Sequence, residues 1–235
     1  MPSRIRIEIT RADHVTATVY APPPRKRAGI ALLLAHGAGG NQMSPFMVEF
    51  ANGLAERGID AVTFNFLYSE RNRRLPDRND KLEACWRAVI GAARSEALGP
   101  EIARGALAIG GKSMGGRIAS QVAAADTEGI GGLVLLGYPL HPPGRPEQLR
   151  TKHLPAIRAP MLIVQGERDA FGTPDELRPV LRQLKAQHEL CVVAGGDHSF
   201  KVPKSAGTPQ AQVHARVLDE IERWLRATIG AKRRS

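Results

Sequence analysis

Cysteine and aromatic residues are scarce in this chain, which has two cysteines among 235 residues and only 5% aromatic residues. Two cysteines give no disulfide framework, so we expect the protein to occupy a reducing compartment. The hydrophobic residues, 43% of the chain, are then mostly Ala, Val, Ile and Leu. Such a core is typical of helices that pack on a buried parallel sheet.

The chain also lacks long apolar runs and an excess of acidic residues. No apolar run approaches the roughly 20 residues of a membrane-spanning helix, and the first six residues lack the apolar stretch of a signal peptide. We therefore expect a cytoplasmic protein without membrane contact. The 33 Lys and Arg against 23 Asp and Glu give a net charge of +10. The basic clusters lack interleaved aromatic residues for base stacking, so we expect no nucleic-acid binding.

The order of the predicted elements indicates an α/β fold in a single domain over residues 1–235. Alternating apolar and polar residues predict two strands, 4–10 and 14–21, that form an antiparallel hairpin. Continuous apolar segments predict six further strands, at 30–35, 60–66, 105–110, 130–137, 161–164 and 191–194. Helices are expected between them after Ser44, over 79–97 and 114–125, after Thr173 and after Thr208. The result is a mostly parallel, eight-stranded, doubly wound sheet, which binds ligands beyond the carboxyl ends of its strands.

The segment Gly111-Lys112-Ser113-Met114-Gly115 directly follows one of these predicted strands and precedes a predicted helix. A G-x-S-x-G sequence in that position presents a serine on a sharp turn, where its hydroxyl can act as a nucleophile. A phosphate-binding loop is the alternative interpretation, since Gly-Lys-Ser also ends that motif. Its first glycine would fall at residue 106, which is Ala106, so we reject nucleotide binding and predict Ser113 as the nucleophile.

Two further loop residues follow in the order that such a serine requires. His198 comes after the last predicted strand and is the expected general base among seven histidines, whereas His188 and His214 are expected on the surfaces of their elements. Asp169 follows strand 161–164 and is expected to orient His198, with Glu167 as the second candidate.

Other residues at the same edge are expected to complete the site. The backbone N–H groups of Met114 and Ala38 are the predicted oxyanion hole. Candidate pocket residues are His36, Gly37, Gly39, Tyr138, His141 and Arg73, with His36 more plausibly a structural turn residue. The basic loop 71–78 borders this edge and is a candidate site for an anionic group. We expect no metal and no organic cofactor, and residues 137–160 are too few for a large lid domain.

Three segments resemble the α/β-hydrolase family, and in particular small dienelactone-hydrolase-like proteins. They are Leu34–Gly40, Gly110–Arg117 and Leu136–Leu140. The resemblance covers almost the whole chain and implies an α/β-hydrolase fold with a Ser-His-Asp triad. Dienelactone hydrolase itself uses a cysteine nucleophile where this chain has Ser113, so its substrate is not carried over.

These residues together predict a serine hydrolase of the carboxylesterase type. It would cleave a small-molecule carboxylic ester or thioester through an acyl-enzyme. Two alternatives stay open, which are an acyltransferase on the same fold and a catalytically silent protein that acts as a binding module. The sequence does not determine the natural substrate or the oligomeric state.

Overall fold

A computed structural model describes residues 2–126 and 128–230 of the chain and contains one eight-stranded sheet. Its strands are β1 (Ser3–Glu8), β2 (His14–Tyr20), β3 (Ile30–Ala35), β4 (Asp60–Phe64), β5 (Ala106–Lys112), β6 (Gly132–Leu136), β7 (Met161–Gly166) and β8 (His188–Val193). They lie in the order β1-β2-β4-β3-β5-β6-β7-β8. β2 pairs antiparallel with β1 and β4, and all other pairs are parallel. The predicted mostly parallel sheet with an N-terminal hairpin is confirmed.

Helices connect the parallel strands. They are α1 (Pro45–Glu56), α2 (Leu67–Glu70), α3 (Asn79–Arg94), α4 (Pro100–Arg104), α5 (Met114–Ala125), α6 (Pro174–Leu181) and α7 (Gln210–Leu225). A π-helical segment, Arg226–Gly230, follows α7. None of the helices in the described parts of the chain is both long and apolar enough to cross a membrane.

The sheet is buried on both faces, which explains the continuous apolar runs of its central strands. Successive side chains of a strand point to opposite faces. In β3, Leu33 therefore packs in the cluster that contains α3 and α5, whereas Leu32 and Leu34 pack in the cluster that contains α1 and α7. A fully buried tryptophan anchors the helices of each face, Trp86 from α3 and Trp224 from α7.

Two element boundaries differ by three residues from the sequence-based expectations. α3 ends at Arg94 rather than at 97, because Glu96 has a φ of 65°, which no helix accommodates. β8 begins at His188, three residues earlier than predicted by our apolar criterion. This strand is at the edge of the sheet and is only partly buried, so its first residues are polar.

The prediction that His214 lies on the surface of its helix was wrong. His214 is only 8% exposed, and its Nδ1 atom lies 2.8 Å from Oε1 of Glu49. The His214 ring also contacts Phe50 edge-on, with 5.4 Å between the ring centroids. The histidine therefore joins α7 to α1, an interhelical contact that the helical periodicity of α7 alone does not reveal.

Within residues 2–126 and 128–230, no lid covers the carboxyl edge of the sheet. Residues 137–160, which connect β6 to β7, contain a single 3₁₀ turn at Leu154–Ala156 within the described chain. The carboxyl ends of β3, β5, β6, β7 and β8 therefore open onto a shared edge, which is where the predicted site residues lie.

Candidate active site

Ser113 occupies a sharp turn between β5 and α5. Its φ of 51° and ψ of −117° are unusual for a residue with a side chain, and its N–H donates to the carbonyl oxygen of Leu136 at 2.9 Å. At this turn, the first residues of α5 pack closely against the end of β3. A Cβ atom on Gly115 would lie 2.2 Å from the carbonyl oxygen of Ala35, so only glycine fits there. The sequence motif thus forms the strained strand-to-helix turn that it predicts.

The side chains of Ser113, His198 and Asp169 form a continuous hydrogen-bonded chain. His198 Nε2 lies 2.8 Å from Ser113 Oγ, and His198 Nδ1 lies 2.7 Å from Asp169 Oδ2. The carboxylate is fully buried, while the imidazole is 20% exposed. A carboxylate on Nδ1 fixes the proton of the neutral ring there, which leaves Nε2 free to accept the serine proton.

The Asp169 carboxylate is held by donors other than the histidine. Gln165 Nε2 donates to Oδ2 at 2.8 Å, and the Phe171 N–H donates to Oδ1 at 2.8 Å. Gln165 Nε2 also donates to the carbonyl oxygen of Gly172 at 2.7 Å, so the loop after β7 is tied together around the carboxylate. These bonds fix the orientation of the buried carboxylate.

Glu167, the second candidate for this position, points elsewhere. Its Oε2 atom accepts a hydrogen bond from the Gly195 N–H at 2.6 Å. The bond links the loop after β7 to the loop after β8, which carries His198. Glu167 therefore supports the site from outside, whereas Asp169 contacts the histidine ring.

Lys112, directly before the serine, contacts the His198 loop. Its Nζ donates to the carbonyl oxygen of His198 and lies 5.8 Å from the centroid of the Phe46 ring. Burial lowers the pKa of Lys112 to about 8, an effect that the nearby carboxylates of Asp169 and Asp197 oppose. The lysine of the rejected phosphate-loop motif thus connects the serine turn to the loop that carries the histidine.

The two residues whose backbone N–H groups are the predicted oxyanion hole, Met114 and Ala38, line the same cleft as Ser113. Met114 is the first residue of α5, so its N–H has no partner within the helix. Ala38 lies in the turn after β3, and a Cβ atom on the preceding Gly37 would be 3.5 Å from Cβ of Ser113. Within the described residues, neither N–H donates to a protein acceptor, and both residues line the cleft beside Ser113.

His36 is buried at the base of that turn. Its Nε2 accepts a hydrogen bond from the Phe66 N–H at 3.3 Å, and its Nδ1 lies 2.8 Å from the Gly37 carbonyl oxygen. Burial lowers the pKa of His36 to about 4, so the ring is neutral at pH 7. These contacts join the turn after β3 to the end of β4 and are typical of a structural residue.

A cleft of about 480 Å³ opens beside the serine. Its lining includes the triad members Ser113 and His198, the two flanking turn residues and three cationic side chains: Lys112, Arg117 and Arg150. A second cleft of about 490 Å³ lies between β8 and α7 and contains none of the triad. The chemistry therefore belongs to the first cleft, although the two have similar volumes.

Comparison with known proteins decides the family of the chain. A family model described as alpha/beta hydrolase domain matches residues 28–226. The chain belongs to the α/β-hydrolase family. This hydrolase is also similar to three solved structures that show the same fold at low sequence identity.

One similar structure is a dienelactone hydrolase from Anabaena variabilis, with a TM-score of 0.73 and 21% identity over 97% of this chain and 98% of that one. A second is an alpha-beta serine hydrolase homologue from Coxiella burnetii, with a TM-score of 0.73 and 18% identity over 93% and 96% of the two chains. A third, a serine hydrolase without a lid from Xanthomonas campestris, has a TM-score of 0.70 and 20% identity over 99% and 94%.

Of the four remaining candidate pocket residues of this hydrolase, the structure places Gly37 in the cleft lining and Gly39, Tyr138 and His141 outside it. The Tyr138 hydroxyl is buried and donates to the carbonyl oxygen of Arg150 at 2.7 Å. His141 is buried between the Pro142 carbonyl oxygen, at 2.8 Å, and Glu176 Oε1, at 3.3 Å. Gly37 lines the cleft, while Gly39 lies one residue beyond its lining residue Ala38.

In the basic loop 71–78, the candidate anion site, two arginines already have carboxylate partners. Arg73 forms a salt bridge with Asp77 at 2.6 Å, and Arg71 forms one with Asp13. Neither arginine lines the cleft, although Asp77 does. The loop therefore contributes a carboxylate to the cleft wall, and the guanidinium groups there come from other elements.

Sequence reasoning missed Gln165, Phe171, Arg117 and Arg150. Gln165 is a polar residue at the end of an apolar strand, which is a visible signal of a buried polar contact. The Phe171 ring stacks on His198 with 4.2 Å between centroids, and nothing in its sequence context indicates this. Arg117 is four residues after Ser113, a spacing that places both on one helical face.

Proposed function

We propose that this protein is a serine hydrolase that cleaves a carboxylic ester or thioester through a covalent acyl-enzyme. The observation that carries the proposal is the continuous chain from Ser113 Oγ through His198 to the buried carboxylate of Asp169. The nucleophile contacts its base, and the base contacts a group that orients it. The open edge of the sheet, without a lid, is consistent with a small or extended substrate.

The first half of the reaction forms the acyl-enzyme. Ser113 Oγ attacks the carbonyl carbon of the ester while His198 Nε2 takes the hydroxyl proton. The carbonyl oxygen becomes an oxyanion, to which the N–H groups of Met114 and Ala38 donate. Asp169 stabilises the imidazolium. When the tetrahedral intermediate collapses, His198 returns the proton to the leaving alcohol or thiol.

The second half repeats these steps with water. His198 Nε2 takes a proton from a water molecule, whose oxygen attacks the acyl carbon bound to Ser113 Oγ. Collapse of the second tetrahedral intermediate breaks the bond to Oγ, and the imidazolium returns the proton to Ser113. The products are a carboxylic acid and the free enzyme, so no metal or organic cofactor enters the balance.

Labelling with a fluorophosphonate probe tests the nucleophile. We expect a single adduct on Ser113 by mass mapping in the wild type and none in Ser113→Ala. On para-nitrophenyl acetate, Ser113→Ala should lower kcat by about 10⁴-fold or more, because only the oxyanion hole and binding remain. Ser205→Ala, a change at an exposed serine, is the matched control and should keep full labelling and turnover.

Two results would contradict the proposal. Folded wild-type protein without an adduct would indicate a silent binding module, and undiminished turnover in Ser113→Ala would place the nucleophile elsewhere. Product analysis with added alcohol or amine separates hydrolysis from acyl transfer. A hydrolase yields mostly free acid, whereas an acyltransferase yields mostly the new ester or amide.

A further inference from the structure

Two arginines line the cleft beside Ser113 from different elements. Arg117 belongs to α5, and its N–H donates to the carbonyl oxygen of Ser113 at 3.0 Å, one helical turn away. Arg150 belongs to the connection between β6 and β7, where its N–H donates to the carbonyl oxygen of Leu140 at 2.8 Å. The backbone of each arginine is therefore fixed by the elements that build the site.

Neither guanidinium forms a salt bridge among the residues that the structure describes. The polar contacts of Arg117 are with Gln121 Oε1 at 3.4 Å and Asn79 Oδ1 at 3.5 Å, and that of Arg150 is with the Pro139 carbonyl oxygen at 3.5 Å. All three acceptors are uncharged and lie at the long limit of a hydrogen bond. Most donor capacity of both groups is therefore unused by the protein.

The two guanidinium groups also act on one another. Burial and, after it, the positive charge of Arg150 lower the pKa of Arg117, while Tyr138 and Glu83 oppose that decrease. Burial and the charge of Arg117 lower the pKa of His153 to about 4. Two like charges at a partly buried site repel each other and lose hydration, and a bound anion relieves both costs.

Two carboxylates close to this pair, one in the cleft wall and one that acts on Arg117, already have cationic partners. Asp77, in the wall of the cleft, forms a salt bridge with Arg73 at 2.6 Å. Glu83 forms one with Arg87 at 2.8 Å. Among the described residues, Arg117 and Arg150 thus have no carboxylate partner, whereas Arg73 and Arg87 each have one. This difference indicates that the compensating charge comes from a ligand.

We propose that Arg117 and Arg150 bind an anionic group, a carboxylate or a phosphate, of the ester or thioester that Ser113 attacks. The inference deepens the proposed function and rests on it. Planar guanidinium groups bind such anions by paired, charge-assisted hydrogen bonds. The two arginines would therefore place the scissile carbonyl at the serine by holding the charged end of the substrate.

Matched pairs of esters that differ in one charge test this assignment. The first pair is para-acetoxybenzoate and its methyl ester, with the charge on the alcohol half. The second is para-nitrophenyl hydrogen adipate and its methyl ester, with the charge on the acyl half. We expect a kcat/KM preference of about 10- to 100-fold for the anion in at least one pair, because charge-assisted hydrogen bonds have that strength. Para-acetoxyphenyl phosphate then distinguishes a phosphate site from a carboxylate site.

Arg117→Gln and Arg150→Gln identify the groups responsible. Each should lower kcat/KM for the anionic ester about tenfold more than for its neutral partner. Arg145→Gln is the matched control, because Arg145 is exposed on the same connection as Arg150 and lies outside the cleft lining. It should keep the preference. No preference in either wild-type pair, or a preference that survives both substitutions, would overturn the proposal.

A binding measurement separates failure of this proposal from failure of the proposed function. In Ser113→Ala, benzoate or inorganic phosphate should raise Tm more than benzamide does, and Arg117→Gln or Arg150→Gln should remove that difference. Absence of the difference would refute the anion site even if Ser113 reacts with the fluorophosphonate probe. The difference without any labelling would support the anion site and reject the hydrolase mechanism.

Discussion

At the scale of single residues, the site depends on side chains that do not react. Gln165 is fully buried, yet its amide contacts both the loop after β6 and the loop after β7. Its Oε1 accepts from the Tyr138 N–H at 2.8 Å, and its Nε2 donates to Asp169 and to the Gly172 carbonyl oxygen. A polar side chain with all of its partners inside the protein gives the carboxylate one orientation.

Lys112→Met should lower kcat about tenfold with a smaller effect on KM. The change removes the donor that holds the His198 carbonyl oxygen, so the imidazole loses part of its positioning while substrate contacts persist. The lysine is cationic below its pKa of about 8. Its charge-assisted bond weakens as pH rises through that value, so wild-type kcat should fall above pH 8.

Steady-state kinetics from pH 6 to 10 check this expectation for Lys112. The alkaline decrease should be absent from the Lys112→Met profile, because its cause has been removed. Lys152→Met, at an exposed lysine on the connection between β6 and β7, should reproduce the wild-type profile. If all three profiles are the same, Lys112 has no positioning role.

At the scale of elements, the first turn of α5 is tightly packed against β3, whereas α3 leaves open space at Gly91. A Cβ atom on Gly115 would approach the Ala35 carbonyl oxygen to 2.2 Å, whereas a Cβ atom on Gly91, within α3, would contact nothing within 4 Å. The start of α5 is therefore fixed by β3, and the exposed face of α3 tolerates a side chain.

Gly115→Ala and Gly91→Ala should change stability in opposite directions. We expect Gly115→Ala to lower the free energy of unfolding by about 1–3 kcal/mol or more through overpacking. It should also reduce turnover, because Ser113 moves with the helix. Gly91→Ala should raise the free energy of unfolding by about 0.5–1 kcal/mol through helix propensity. Urea titrations measure both, and a tolerated Gly115→Ala would disprove the tight contact at the elbow.

At the scale of the whole molecule, the stability of the fold depends on pH because folding lowers the proton affinity of the buried His36. The pKa of His36 falls from 6.5 to about 4 on folding. Between these values the unfolded chain binds one more proton than the folded chain at this site. The contribution of the neutral His36 to the free energy of unfolding is therefore fully present above pH 6.5 and decreases as pH falls towards 4.

The expected slope from His36 is about 1.4 kcal/mol per pH unit, or about 3 kcal/mol over the window. Urea unfolding at several pH values between 4 and 6.5 measures the total slope, to which other groups contribute. His36→Gln should be less stable at neutral pH but should show a smaller slope. An unchanged slope in this variant would mean that His36 titrates equally in both states.

The sequence predicted the sheet, the hairpin and the loops of Ser113, Asp169 and His198, because each depends on local pattern and on chain order. Buried strands in an α/β protein are apolar throughout, and loops that follow them share one edge. The prediction could not include Arg117 with Arg150, or the contact of His214 with Glu49. These pairs come from elements far apart in the chain, so only the packed structure brings them together.

The three residues of the triad come from loops after β5, β7 and β8, and the last of these strands is paired on one side only. During synthesis, His198 is therefore added to the chain 85 residues after Ser113. Under the proposed function, turnover can begin only after β8 has paired with β7, since the loop that carries His198 follows β8. An arrested nascent chain that ends before His198 would lack the proposed base and show no turnover, so turnover would report that synthesis and folding have passed this residue.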